Sequence, residues 1–265
     1  MVKQLILGWY QTSELFEELK NRKVKELRRS PENRMFREEQ ILREAERSIQ
    51  SELSDDKQQQ LFKETMDAVL SRCDGYEGDE RIVMLRSFRK LISKDLMYSY
   101  LSSIAYENKG RWMTLPNMPT WYKNNNGEEV NLERTIIDGV NIKELCLIDD
   151  PYQTNKWNYH LMRKNELDPQ EMKKEGIAYY YPTFDIVLIG AGNCHRTAEA
   201  MLNRKDCIIP VRKYDDSLLL ENVKTDGAYW LSMHDNSIID KCTDFRLAVI
   251  YEIKRMEQGT EEEAE

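Results

Sequence analysis

Apolar residues recur at helical spacing through the first 110 positions and in short, strand-like runs beyond them. Thr12 or Ser13 caps a helix through Leu15, Phe16 and Leu19, and Ser30-Pro31-Glu32 pairs an N-cap with proline at the first helical position. Ser54-Asp55-Asp56 opens another helix ahead of Leu61, Phe62, Met66 and Val69. The longest predicted helix runs from near Asp79 to before Gly110, with Leu85, Phe88, Ile92, Leu96, Leu101 and Ile104 on its apolar face. Leu115-Pro, Met118-Pro and Asn124-Asn-Asn-Gly127 then signal loops and turns. Short apolar runs come next at Val140–Ile148, Ile177–Tyr181, Ile186–Ile189 and Cys207–Val211, alternating with helix-like segments at Tyr159–Lys174 and Thr197–Asn203. Residues 243–257 read as a helix, with Leu247–Ile253 open to a strand reading. The pattern predicts an α+β protein: a helical region over 1–115, a linker over 116–135, a mixed α/β domain over 136–256 and a disordered acidic tail over 257–265.

One stretch stands apart, Asp185-Ile-Val-Leu-Ile-Gly-Ala-Gly-Asn-Cys-His-Arg-Thr-Ala-Glu-Ala-Met-Leu202. An apolar run stops at two glycines, polar and cationic residues succeed them, and a helix-forming run begins. This is a strand, a tight turn and a helix N-terminus, where unpaired backbone N–H groups and the helix dipole favour an anion. Gly190 and Gly192 allow positive φ and close approach of phosphates. Asn193 caps the helix or donates to a phosphate, and Arg196 can take phosphate oxygens in a bidentate grip. His195 has a near-neutral pKa suited either to hydrogen bonding or to proton transfer.

Composition narrows the functional classes. The chain has 265 residues and a net charge of −8, with five glutamates between Glu257 and Glu265. The only dense basic cluster is Lys20, Arg22, Lys23, Lys25, Arg28 and Arg29, and it reads first as a solvated helix face. Nucleic acid is therefore a partner that charge does not support. No apolar run reaches the roughly 18–20 residues that cross a bilayer, and the apolar stretch at the N-terminus is short for a signal peptide, so no membrane partner is expected. Five scattered cysteines without a Cys-x-x-Cys pair fit a reduced, cytoplasmic protein. His160 and His234 are isolated, so no metal site is expected from histidine spacing.

From about Ile137 to Asp216 the pattern resembles the N-terminal domain of the ParB/sulfiredoxin superfamily. Val140-Asn-Ile-Lys-Glu-Leu and Asp150-Pro-Tyr-Gln-Thr154 are similar to that family's opening strand and its Asn-Pro-x-Gln-x-Arg segment. Gly192-Asn-Cys-His-Arg-Thr-Ala198 lies without a gap over the Gly-Glu-Arg-Arg-x-x-Ala box, and Ile208-Ile-Pro-Val-Arg212 is similar to the strand that comes after it. The resemblance implies a nucleoside triphosphate, ATP or CTP, with Mg²⁺, bound by Gly190, Gly192, Asn193, Cys194, His195, Arg196, Thr197 and Gln153. It also implies a nucleotide-dependent switch, a hydrolase or a phosphotransferase, with His195 and Asn193 as the candidate catalytic residues. The chain departs from the family at Asn193, which replaces the box glutamate, at Cys194 and His195, which replace its arginines, and at Asn155-Lys156, where an arginine is expected. These departures bear on hydrolysis more than on phosphate binding. They leave open a non-catalytic adaptor that binds a protein partner through the helical region, and family analogy adds a DNA-acting nuclease or DNA-modification regulator.

A tyrosine-phosphatase reading of the same turn fails, because Gly190 stands where the nucleophilic cysteine, six residues before Arg196, would be required. Asp149, Asp150, Asp215 and Asp216 are candidate carboxylates for a divalent ion or simple loop residues. Tyr179-Tyr-Tyr181 either stacks on a base or alternates across a half-buried strand.

Overall fold

The computed structural model describes residues 54–106, 117–143, 145–148, 177–191, 194–202 and 206–264. Two helices come first, α1 (Asp55–Cys73) and α2 (Gly78–Tyr106). Ser54 caps α1 as its sequence suggests: the hydroxyl accepts from the Lys57 N–H at 3.3 Å, and Asp55 and Asp56 lie in the first turn. Leu85 and Leu96 on α2 are fully buried and Phe88 and Ile92 are half-buried, as their spacing predicts.

The predicted linker contains a β-hairpin, β1 (Trp121–Lys123) and β2 (Glu129–Asn131). Its turn is the predicted one. The Asn124 side-chain oxygen accepts from the Asn126 and Glu128 N–H groups, and Gly127 takes φ +79°. The segment is no loose connection, because Tyr122 and Leu132 are buried in the main core.

Five strands form the principal sheet: β3 (Arg134–Asn141), β4 (Cys146–Ile148), β5 (Ile177–Tyr181), β6 (Ile186–Ala191) and β7 (Ile208–Tyr214). Their order is β3-β7-β5-β6-β4. β5 and β6 are an antiparallel hairpin closed by a 3₁₀ turn at Pro182–Phe184. Helix α3 (Cys194–Leu202) carries the chain from β6 to β7, which lies parallel to β5. Period-two alternation divides the sheet's faces. Leu147, Ala178, Val187, Ile189, Ile209 and Val211 share a core with Ala200 of α3. Cys146, Ile148, Tyr181, Ile186 and Tyr214 face the opposite core, with Leu96 of α2 and the hairpin.

A short helix α4 (Leu219–Asn222) leads to a second, antiparallel sheet of β8 (Val223–Thr225), β9 (Tyr229–Ser232) and β10 (Ile238–Lys241). Asp226-Gly227, with Gly227 at positive φ, turns the chain from β8 to β9. The last helix, α5 (Phe245–Ala264), settles the ambiguous stretch as helical and continues through most of the predicted acidic tail. The reason is Glu257, which lies on the buried side of α5 with its side chain fully out of solvent and its Oε1 2.7 Å from Arg89 Nε of α2.

The helices of residues 55–106 share their cores with the sheets. The compact unit runs from Leu53 to Glu265, so the predicted division at 116–135 falls inside it. Val69 and Cys73 of α1, Leu85 of α2 and Val249 and Ile253 of α5 form one cluster. Polar contacts reinforce the docking of α1: Gln58 accepts from the Phe245 N–H at 2.7 Å, meeting an open donor at the start of α5. Gln59 donates to Asp226 at 2.7 Å. The helices expected near Leu15, after Ser30 and over Tyr159–Lys174 lie outside the described residues.

Candidate functional site

The strand–turn–helix reading of residues 185–202 holds at the level of the backbone: β6 ends at Ala191 and α3 begins at Cys194. Ile177 pairs with Ala191 and Ala178 with Ile189, so Gly190 is the extra residue of a β-bulge at the end of β6. A bulge bends its strand and redirects the chain beyond it, and glycine accommodates it without side-chain cost. The first turn of α3 comprises Cys194, His195 and Arg196, whose backbone N–H groups have no carbonyl partner within the helix. Thr197 and Ala198 turn inward, at 1 % and 0 % exposure. The phosphate-site expectation thus divides within one turn, since Thr197 is buried against the fold. Gly192, Asn193 and Gln153 lie outside the described residues, as do Asp149 and Asp150, and only the backbone is described at Cys194, His195 and Arg196. Parallel pairing places Ile148 beside Leu188, so the chain leaves β4 at the end of the sheet where Gly190 lies.

Asp215 and Asp216 are elsewhere. β7 runs parallel to β5, so Tyr214 ends beside Tyr181, at the Pro182 turn. Gly190 is five residues from Asp185 along β6, about 16 Å at the strand rise, and the two acidic residues lie at the Asp185 end. There they border an open cleft of about 420 Å³ with Glu133, Thr183, Lys213 and Ser217. Asp216 is 1 % exposed. One of its oxygens accepts from the Thr183 hydroxyl at 2.8 Å and the other from the Thr183 N–H at 3.2 Å. It is the clamp of the β5–β6 turn and does not converge with the glycine turn on a common ion. Among the described residues no group of three His, Cys, Asp or Glu side chains is arranged to hold a metal.

Burial pushes the Asp216 carboxyl from 3.8 up to about 6, against the lowering effect of its two Thr183 bonds. A carboxyl with a raised folded-state pKa binds its proton more tightly folded than unfolded, so its contribution to stability falls as pH rises from about 4 to 6. The 3.8-to-6 interval sets an upper bound of about 3 kcal/mol on this change. Asp216→Asn keeps an acceptor for Thr183 without titrating. Urea unfolding at pH 4 and pH 7 is expected to show the wild type gaining on the variant at pH 4; parallel profiles would show that Asp216 titrates normally.

The tyrosines alternate across the strand: Tyr181 stacks on Tyr214 at 4.8 Å within the core, while Tyr179 stacks on Tyr214 at 5.9 Å and lies under the Arg212 guanidinium. Cys73, Cys146, Cys207 and Cys242 are buried and in no disulfide, and burial pushes the Cys146 thiol up to about 12. Burial likewise pushes up the Cys73 and Cys242 thiols, which disfavours the reactive thiolate at all three.

Sequence reasoning missed the buried ion pair of Arg89 and Glu257 and its extension to the hairpin. Arg89 Nη1 also donates to the Phe184 carbonyl and the Asp185 carboxylate, each at 3.3 Å. The signal was present. Arg89 falls in phase with Leu85, Ile92 and Leu96, and Glu257 with Ile250 and Ile253, each placing a charge on an otherwise apolar stripe.

The class defined by this architecture is an α+β protein whose mixed sheet leads through a glycine bulge into a helix N-terminus. Within that class, the chain belongs to the family described as a family of unknown function (DUF6710), whose model matches residues 45–264. No curated protein and no solved structure matches the chain.

Proposed function

We propose that this protein binds a nucleoside triphosphate, with the phosphates against the open backbone N–H groups at the start of α3, and acts as a nucleotide-dependent switch. The observation that carries the reading is the bulged end of β6 at Gly190 succeeded at once by the N-terminus of α3. The succession of β6, α3 and β7 supports the ParB-like resemblance, because Cys194–Ala198 of the box lies in α3 and Ile208–Arg212 in the strand that comes directly after it. Arg196, in the first turn of α3, supplies cationic charge for the phosphates. Mg²⁺, where it accompanies the nucleotide, is held chiefly through the phosphate oxygens and neutralises their charge. Asn193 in place of the box glutamate favours a switch over a hydrolase or phosphotransferase. The buried cysteines, in no disulfide, accord with a reduced, cytoplasmic setting. Among the described residues no helix is long and apolar enough to cross a membrane.

One observation favours the second reading, an adaptor with a protein partner on its helical region. Val83, Leu91 and Tyr98 stand exposed along α2, at 59 %, 63 % and 39 %. Calorimetric titration of ATP, CTP and GTP, each with Mg²⁺, separates the two readings. The switch predicts micromolar binding of at least one nucleotide, weakened about tenfold or more in Arg196→Ala by loss of a charge-assisted hydrogen bond. Flat titrations with all three overturn it and leave the adaptor.

A further inference from the structure

The outer edge of β3 carries a self-complementary pattern. β3 lies at one end of the five-stranded sheet and, among the described residues, has a strand partner only on its β7 side. An open edge offers a row of backbone donors and acceptors to another strand. The opposite edge, β4, is closed to such pairing, because its three residues are fully buried and packed beneath α2. On β3, by contrast, Arg134, Thr135, Ile136 and Asp138 are exposed, and Ile136 stands 79 % in solvent. Arg134 to Ile137 pair with β7 in unbroken register; the bulge comes only after Ile137. That bulge is tightly seated, since a Cβ on Gly139 would come within 2.7 Å of the Ile208 side chain. The usable edge is therefore a short strand, regular from Arg134 to Ile137, with Asp138 as the first residue of the bulge.

We propose that two copies of this chain associate through β3, antiparallel about a two-fold axis at Ile136, joining the two five-stranded sheets into one. The charge pattern selects both the occupant and the register. Arg134 and Asp138 lie two residues before and two residues after Ile136, and neither forms an ion pair with a described residue. In an isologous pair about Ile136, Arg134 falls opposite the partner's Asp138, and the symmetry makes the same pair again on the other side. Thr135 falls opposite the partner's Ile137, and the two Ile136 side chains meet at the axis. Moving the axis to Thr135 or Ile137 sets each charge against a neutral side chain. An edge strand carrying only one sign of charge would repel its own copy; this one attracts it.

Sedimentation of the full chain tests the proposal. The wild type is expected to sediment as a dimer of the 31.5 kDa chain at micromolar concentration. Arg134→Asp and Asp138→Arg each set like charges together twice per dimer and are expected to raise the dissociation constant about tenfold or more. The double variant Arg134→Asp/Asp138→Arg reverses both charges and is expected to restore the dimer. Ile136→Glu places two like charges at the axis on a side chain already in water, so it separates the copies without touching the fold or either ion pair. A wild type that stays monomeric through the micromolar range overturns the proposal. So does a dimer indifferent to the single changes and to Ile136→Glu, or one that the double variant fails to restore.

Discussion

Arg89→Ala is expected to destabilise the protein by about 3–5 kcal/mol, the range for removing one partner of a buried ion pair. The loss exceeds that of a contact because Glu257 stays behind. Its side chain is fully buried, and among the described residues its Oε2 has no hydrogen-bond partner, with Lys254 at 3.6 Å and Arg86 at 3.9 Å. Without the 2.7 Å partner at Oε1, the carboxylate must take up a proton or draw in water, and both cost stability. Arg89 also holds the Phe184 carbonyl and Asp185, so its loss reaches the β5–β6 turn. Asp185 adopts φ 57° there, a conformation that costs a non-glycine residue energy unless its surroundings hold it. Chemical denaturation of Arg89→Ala, Glu257→Leu and Arg89→Met/Glu257→Leu distinguishes a stranded charge from simple loss of packing. The double variant removes both charges and is expected to be more stable than either single variant. A double variant as unstable as the sum of the singles would contradict this explanation.

Gly227→Ala is expected to cost about 2–5 kcal/mol, from strain and overpacking combined. Gly227 has φ +96° in the β8–β9 turn, and a Cβ there would lie 2.3 Å from Cβ of Phe62 and 3.1 Å from the Gln58 carbonyl. The near atoms belong to the base of a side chain and to helix backbone, which cannot swing aside. To admit the methyl group, α1 must move off the second sheet, breaking the Gln59–Asp226 and Gln58–Phe245 hydrogen bonds together. The readout is the denaturation midpoint. A loss under about 0.5 kcal/mol would show that α1 docks less firmly than these contacts require.

Both effects arise where the sequence was hardest to read. Helix starts, the Asn124 turn and the strand and helix around Gly190 are local matters, set by caps, breakers and periodicity over a few residues, and they stood out in the chain. Where the helices pack is not local. Gln58 and Gln59 look like ordinary polar positions on α1, and only the fold shows that they bind residues about 170 to 190 positions away. The proline-rich stretch before β1 read as a boundary because prolines punctuate hairpins and linkers alike. Glu257 read as the start of an acidic tail because four more glutamates come after it by Glu265, although its own phase on α5 matches Ile250 and Ile253. The candidate site was legible in part for the same reason. The glycine bulge and the helix start are written in adjacent residues, whereas the separation of Asp215 and Asp216 from them depends on β7 lying parallel to β5.

Hydrogen exchange of the full chain, with and without a saturating nucleoside triphosphate and Mg²⁺, tests the proposed function most directly. Phosphates on the glycine turn will occupy the open N–H groups at the start of α3, so exchange is expected to slow in peptides covering residues 190–198 and to change much less across α1 and β8–β10. Tripolyphosphate is expected to protect the same peptides. Exchange unchanged across residues 190–198, with protection confined to other segments or absent altogether, would contradict the site.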